Sequence, residues 1–255
     1  MGKKLLLMVL IALIIMSGCS SQPATEEPAS TEETPQEEPV SEEPVESGPE
    51  TRLIIGTGGM AGVYYPIGGG IASIIDQFVP NASATIQATA AGIENIRLMS
   101  QNEIDLALVG TSHAYYAYNG TDLFEGEQID NIRGIMVLYP QPVQIVVAEE
   151  SSIYTFEDLI GATIGVGAPG SGDEGVFREI MDVAGLTYDD FDPQFISFAE
   201  QADAFKDRHI DAMFYVAGVP ASGIMDVASV RDIRMVSMEG QLMEDLLAAY
   251  PYYAA

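Results

Sequence analysis

Two glycine-rich stretches carry the residue types that could hold a charged ligand. Gly56-Thr57-Gly58-Gly59-Met60-Ala61-Gly62 follows the apolar run Leu53-Ile54-Ile55 and leads into a helical pattern. Gly167-Ala168-Pro169-Gly170-Ser171-Gly172-Asp173-Glu174-Gly175 follows Thr163-Ile164-Gly165-Val166 in the same way. Each reads as strand, glycine loop, helix. Glycine lets a ligand lie against bare backbone, and the helix that follows presents unpaired N–H groups and the positive end of its dipole. The chemistry is that of an anion seat for a carboxylate or phosphate. A tight turn that needs glycine for its geometry alone is the other reading of each loop.

The elements that must position these loops alternate along the chain. Strands are expected at 52–56, 84–89, 105–110, 132–139, 143–148, 163–166, 194–198, 211–216 and 233–237, and helices at 66–78, 92–102, 176–184, 198–208, 222–228 and 241–250. In the first helix Ile67, Ile71, Ile74, Ile75 and Phe78 make one apolar face. The run Asp-Leu-Ala-Leu-Val-Gly at 105–110 has the composition of a strand buried on both faces. Such alternation predicts an α/β fold with parallel strands flanked by helices, and ligands in such sheets lie beyond the carboxyl ends of the strands. Both glycine loops fall at such ends, so two facing units would form a cleft with a seat on each wall.

The N-terminus directs the chain out of the cytoplasm. Lys3 and Lys4 precede an apolar run at 5–16 that is too short for a comfortable membrane span, and Ser17-Gly18 precede Cys19. This resembles a lipoprotein signal with Cys19 as the lipidated residue. An ordinary secretory signal is the alternative. Cys19 is the only cysteine, so no intramolecular disulfide and no cysteine-ligated metal site exists in the chain. Residues 20–50 are built mainly from Glu, Pro, Ser and Thr and read as an extended, solvated tether. Ten of the 38 acids lie there, against 10 Lys and Arg in a chain of formal net charge −28. The domain itself is therefore acidic, which excludes a nucleic-acid partner and suits a salty habitat.

Other candidate chemistry is weaker. Gly56-Thr57-Gly58-Gly59-Met60-Ala61 fits the relaxed GxGxxA dinucleotide pattern, but the next strand ends Gln87-Ala88-Thr89, without the acid that would hold a ribose. No GxSxG elbow and no HExxH helix occurs, so neither an enzyme nor a metal site is expected. His113 and His209 have no metal-ligand spacing and read as surface residues. Arg97 and Arg178 read as surface ion pairs rather than carboxylate clamps. Of Tyr64 and Tyr65, adjacent residues point different ways, and Tyr64 is taken as the one reaching the ligand; Tyr115, Tyr116 and Tyr118 read as packing.

The order of GTGGMAGVYYPIGGGIA, IENIRLMSQNEIDLALV, SHAYYAYNG, LYPQPVQIV, IGVGAPGSG and DAMFYVAGVPA resembles the TAXI family of substrate-binding proteins, the extracytoplasmic receptors of one class of TRAP transporters. The resemblance implies a two-lobe periplasmic-binding-protein-like fold of type II, each lobe a mixed, mostly parallel sheet flanked by helices. It implies binding lobes at 51–147 and 148–236 and a return toward the first lobe at 237–255, where the chain reads as truncated against the family. The implied function is capture of a small carboxylate (an amino acid such as glutamate, a dicarboxylate or a keto acid) by hinge closure, without cofactor. A monomer tethered through Cys19 would deliver it to a TRAP-type permease in the membrane. A two-lobe receptor serving an ABC transporter or a sensor system is the alternative. The ligand-binding residues carried over are Gly59, Val63, Tyr64, Asn95, Gly170 and Ser171, with Tyr139 and Tyr215 beside them. Asp173, and Thr111-Ser112-His113 where the family often has Gln-Ser-Asp, depart from its pattern.

Overall fold

Alternating β-type and helical runs assemble into two sheets, seen in a computed structural model that describes residues 50–254. The expectations for the signal segment, Cys19 and the tether up to residue 49 lie outside the described residues. Strands β1 (Thr51–Gly56), β2 (Ala82–Gln87) and β3 (Leu106–Ala107) form a three-stranded parallel sheet in the order β2-β1-β3. Helices α1 (Tyr64–Phe78), α2 (Gly92–Ser100) and α3 (Thr111–Asn119) each begin just beyond one of these strands. A five-stranded sheet, ordered β6-β5-β7-β4-β8, contains β4 (Val143–Ala148), β5 (Thr163–Gly165), β6 (Asp192–Gln194), β7 (Ala212–Val216) and β8 (Ile233–Val236). Here β5, β6 and β7 run parallel, while β4 is antiparallel to both β7 and β8. Helices α4 (Gly172–Ala184), α5 (Phe198–Lys206), α6 (Ser222–Ala228) and α7 (Gln241–Ala249) flank this sheet. Among the described residues no helix is long and apolar enough to cross a membrane.

The period-2 geometry of a strand explains the second sheet's burial on both faces. Ile145 and Val147 of β4 join Ala212 and Phe214 of β7 in one core, beneath α4 and α7. Val146 and Ala148 join Met213 and Tyr215 in the other, beneath α5 and α6. Phe177 of α4 centres the first of these cores, with its ring 5.0 Å from that of Phe214 and 5.4 Å from that of Phe191, both edge-on. Such pairs add about 0.5–1.5 kcal/mol each beyond area burial.

Two elements differ from expectation. The run at 132–139, expected as a strand, makes no ladder among the described residues, and Ile135 and Val137 are 73% and 82% exposed. Its β propensity is real, but a strand needs a partner edge, and β3 pairs with β1 over two residues only. The segment at 111–119 is a helix for which no strong apolar period speaks. Tyr116 and Ala117 fix it by packing with Ile93, Ile96 and Phe124.

Asn95 of α2 ties the first sheet together. It is fully buried, and its Nδ2 donates to the carbonyls of Thr57 at 2.7 Å and Leu108 at 2.9 Å. Its Oδ1 accepts from the Thr89 hydroxyl at 2.7 Å. Thus one side chain joins the segments following β1, β2 and β3. It fits only because residue 56 is glycine: a Cβ there would lie 2.8 Å from Asn95 Oδ1. Asn95→Ala removes the donor to the Leu108 carbonyl and one of two donors to the Thr57 carbonyl, which the Thr89 hydroxyl also reaches at 2.8 Å, and is expected to lower unfolding free energy by about 1–3 kcal/mol in urea melts. A loss under about 0.5 kcal/mol would show that the three segments are held independently of it.

Candidate functional site

The carboxyl ends of the six parallel strands open onto one cavity. β1 delivers Gly58 and Gly59, β2 delivers Thr89 to Ala91, and β3 delivers Gly110. From the second sheet, β5 delivers Gly167, β6 delivers Ser197, and β7 delivers Val216 and Ala217. The cavity measures about 90 Å³. Five of the six strands lead through short loops into helices whose first residues line the same space; α6, which follows β7, is the exception. Tyr64 starts α1, Gly92 starts α2, Gly110 precedes α3, Ser171 precedes α4 and Phe198 starts α5.

These N-termini are not equivalent. Ser171 Oγ caps α4 by accepting from Glu174 N at 3.3 Å, and Ser197 and Glu200 form a capping box on α5. In α2, Glu94 accepts from Ala90 N. α1 and α3 have neither a side-chain cap nor an acid in the first turn. Their leading N–H groups therefore keep an unneutralised positive field directed at the cavity. The backbone is also strained beside it: Ala91 has φ 69° and ψ −149°, a region that disfavours a side chain. Thr89 Oγ1 holds that turn by accepting from Ala91 N at 2.9 Å.

Among the described residues no lysine or arginine lines the cavity. Its titratable residues are Tyr64, Tyr139, His113 and Asp173. The Tyr64 hydroxyl donates to Gln141 Oε1 at 3.1 Å, and burial pushes its pKa well above the usual phenol value. The Tyr139 hydroxyl is buried with no hydrogen-bond partner among the described residues. Asp173 turns its carboxylate toward the end of β7, where Oδ1 accepts from Val216 N at 2.7 Å. Burial pushes its pKa up to about 7, against the opposing backbone bonds from Val216 and Asp173. The bond to Val216 draws this acid into the fold, which softens the repulsion that a carboxylate beside Ser171 exerts on an anion.

Of the residues expected at the site, Gly59, Val63, Tyr64, Tyr139 and Ser171 line the cavity. Asn95, Gly170 and Tyr215 do not. Asn95 is committed to the bonds described above. Gly170 makes the turn before α4 with φ 76°. Tyr215 stacks on Phe198 with ring centroids 3.8 Å apart and donates its hydroxyl to the Phe198 carbonyl. His113, expected at the surface, is 3% exposed and lines the cavity. It lies in a helix whose existence the sequence pattern did not signal. Gln141, also unforeseen, follows the Tyr139-Pro140 pair that did draw notice. Arg97 and Arg178 pair with Glu127 at 3.7 Å and Asp122 at 3.6 Å, away from the cavity lining.

A sequence profile described as the NMT1-like family matches residues 55–255. The chain belongs to the NMT1-like family. Solved structures with the same fold include the alkanesulfonate-binding protein SsuA from Xanthomonas axonopodis pv. citri bound to MOPS, at 20% identity and a TM-score of 0.52. That match covers 74% of this chain and 61% of SsuA, so the NMT1-like chain spans well under two thirds of that protein's length. A putative L-cystine ABC transporter protein from Listeria monocytogenes matches at 15% identity and a TM-score of 0.53, covering 74% of this chain and 78% of its own. At these identities the likeness speaks for the fold: the NMT1-like chain has the mixed α/β architecture of periplasmic solute-binding proteins.

Two outcomes follow from this geometry. Asp173 has a folded-state pKa of about 7 against an ordinary 3.8, so its contribution to stability is fully present below about pH 4 and is lost as pH rises through 7. Glu179 of α4, raised to about 7 chiefly by burial, acts in the same direction. Asp173→Asn keeps the acceptor for Val216 N and removes the charge. Its stability should exceed wild type above pH 7 by about 1 kcal/mol or more, roughly 2–4 °C in Tm, with the gap closing toward pH 4. Parallel pH profiles for the two proteins would contradict the raised pKa. Ser171→Ala should cost about 1 kcal/mol through loss of the α4 cap, measured in the same melts.

Proposed function

We propose that this chain is the extracytoplasmic receptor of a TRAP-type secondary transporter, of the TAXI class, and that it captures a small carboxylate for a membrane permease. The observation that carries the reading is the convergence of helix N-termini, two of them uncapped, on a small cavity whose lining contains no lysine or arginine. Backbone N–H groups and helix dipoles then supply the positive end of the interaction. At about 90 Å³ the cavity suits a small molecule rather than a dinucleotide. Ser171 and His113 share the lining, but neither ring nitrogen of His113 has a hydrogen-bond partner among the described residues. No base therefore activates a hydroxyl nucleophile there, which favours a binding protein over a hydrolase.

The proposed receptor works by closure. A first lobe built on β1 to β3 and a second built on β4 to β8 would hinge about the connection that precedes Val143, since β4 itself is a central strand of the second sheet and α7 packs on that sheet, and ligand would bridge the seats on both. Cys19 would carry the lipid that holds a monomer at the outer face of the membrane. A receptor feeding an ABC importer is the second reading; the likeness to the cystine-transporter structure is as compatible with it as with the first.

A thermal-shift panel on the full chain in high salt tests the ligand class, using L-glutamate, succinate, 2-oxoglutarate, pyruvate, NAD and glucose. A ligand at a hundred times its Kd stabilises by about 2.7 kcal/mol. At roughly 2–4 °C per kcal/mol, a carboxylate should raise Tm by more than 5 °C. Stabilisation by NAD alone would sink the receptor reading. Uptake in vesicles carrying the permease, driven by an ion gradient and indifferent to ATP, would separate the TRAP from the ABC assignment.

A further inference from the structure

His113 lies in the first turn of α3, its ring wedged among glycines from three elements. A Cβ added at Gly110 would sit 2.9 Å from Nδ1, and one at Gly92 3.6 Å from Nδ1. At Gly172 it would sit 2.8 Å from Cε1, and at Gly175 3.1 Å from Nε2. Gly92, Gly110 and Gly172 line the cavity, and Gly175 does not. The Nδ1–Cε1 edge therefore lies against the glycines that wall the cavity and is covered by them in this arrangement, while Nε2 faces the body of α4, where a Cβ at Gly175 would also meet Leu123. The ring is 3% exposed, and neither nitrogen has a hydrogen-bond partner among the described residues. A leucine would fill such a crevice without leaving a buried polar group unpaired, so a histidine here needs a partner from the cavity.

We propose that His113, as the neutral imidazole, donates its Nδ1–H to the carboxylate of the bound ligand, where the N-termini of α3 and α4 meet. The inference rests on the carboxylate reading above and adds the residue that reads the ligand. Burial, helped by nearby Arg178, lowers the imidazole pKa to about 4, so the ring is uncharged at neutral pH and has one N–H to give. The uncapped start of α3 and the first turn of α4 flank the same edge, so the ligand oxygen meets backbone N–H groups beside the imidazole. Directional recognition of this kind selects a planar oxyanion by position, in a cavity without a cationic side chain.

The chain has two histidines, and His209 is exposed, so ¹⁵N-histidine labelling of the full chain gives one reporter and one internal control. The labelled chain is titrated at pH 7.5 with L-glutamate, succinate, 2-oxoglutarate and pyruvate, with Tm read in parallel. The expected result is an Nδ1–H tautomer at His113 whose Nδ1 resonance moves with the stabilising carboxylate, while His209 stays still. His113→Asn places an amide nitrogen where Nδ1 stood and should hold affinity within a few-fold. His113→Gln and His113→Phe should each weaken it by about tenfold or more. If a carboxylate stabilises the chain while the His113 resonances do not move, or the Nε2–H tautomer is found, the assignment to His113 is overturned and the receptor reading stands. If none of the carboxylates stabilises the chain, both are overturned.

Discussion

The fold turns on a short-range electrostatic constraint: helix N-termini must point their unpaired N–H groups at one space in a chain of formal net charge −28. The two effects differ sharply in reach. A helix terminus behaves as roughly half a positive charge, worth about 2 kcal/mol to an anion about 4 Å away at an effective dielectric constant of about 20. A surface carboxylate about 15 Å away through water opposes the anion by about 0.3 kcal/mol before salt screens it further. One well-placed terminus thus outweighs several distant acids. An acidic exterior and an anion seat coexist as long as the acids stay out of the first turns that face the cavity. α1 and α3 have no such acid, while those of α2, α4 and α5 are engaged in bonds of their own: Glu94 accepts from Ala90 N, Asp173 from Val216 N, Glu174 from the Tyr188 hydroxyl and Glu200 from Ser197 N.

Bringing those termini together requires backbones to approach more closely than side chains allow. Gly56 admits Asn95, and the glycines around His113 admit an imidazole between α2, α3 and α4. The glycine content of both loops was evident from the sequence, and so was their place at strand ends, because the apolar runs at 53–55 and 163–166 precede them directly. The second sheet was equally readable: Val143–Ala148 and Ala212–Val216 alternate between two buried faces, and continuous apolarity is the mark of such strands.

What escaped the sequence depended on partners distant in the chain. Thr111–Asn119 is rich in tyrosine and polar residues, and its helix exists because Tyr116 and Ala117 meet Phe124 and Ile96; without it, His113 had no reason to be placed inside. The run at 132–139 shows the reverse, a local β preference without an adjoining edge. Asn95 and Tyr215 were carried over as ligand groups from the resemblance to the TAXI family. Their hydrogen bonds go to Thr57, Leu108 and Phe198, and only coordinates reveal where a side chain of that length turns.

Polar and apolar contacts both hold the two sheets' elements against each other: Val63 packs on the core beneath α5 and α6, and Tyr252 packs on Tyr116 with ring centroids 5.6 Å apart. Gly223 N donates to the Ala61 carbonyl at 3.1 Å, the Tyr64 hydroxyl to Gln141 at 3.1 Å, and the Tyr116 hydroxyl to Glu179 Oε1 at 2.9 Å. At a net value of about 1 kcal/mol each, three such bonds amount to a few kcal/mol, and ordering the segments that make them offsets part of it. A ligand that bridged both sides would add to these contacts: shifting a two-state equilibrium from 1:99 to 99:1 takes about 5.5 kcal/mol of differential affinity, within reach of a single charged group held by several N–H donors.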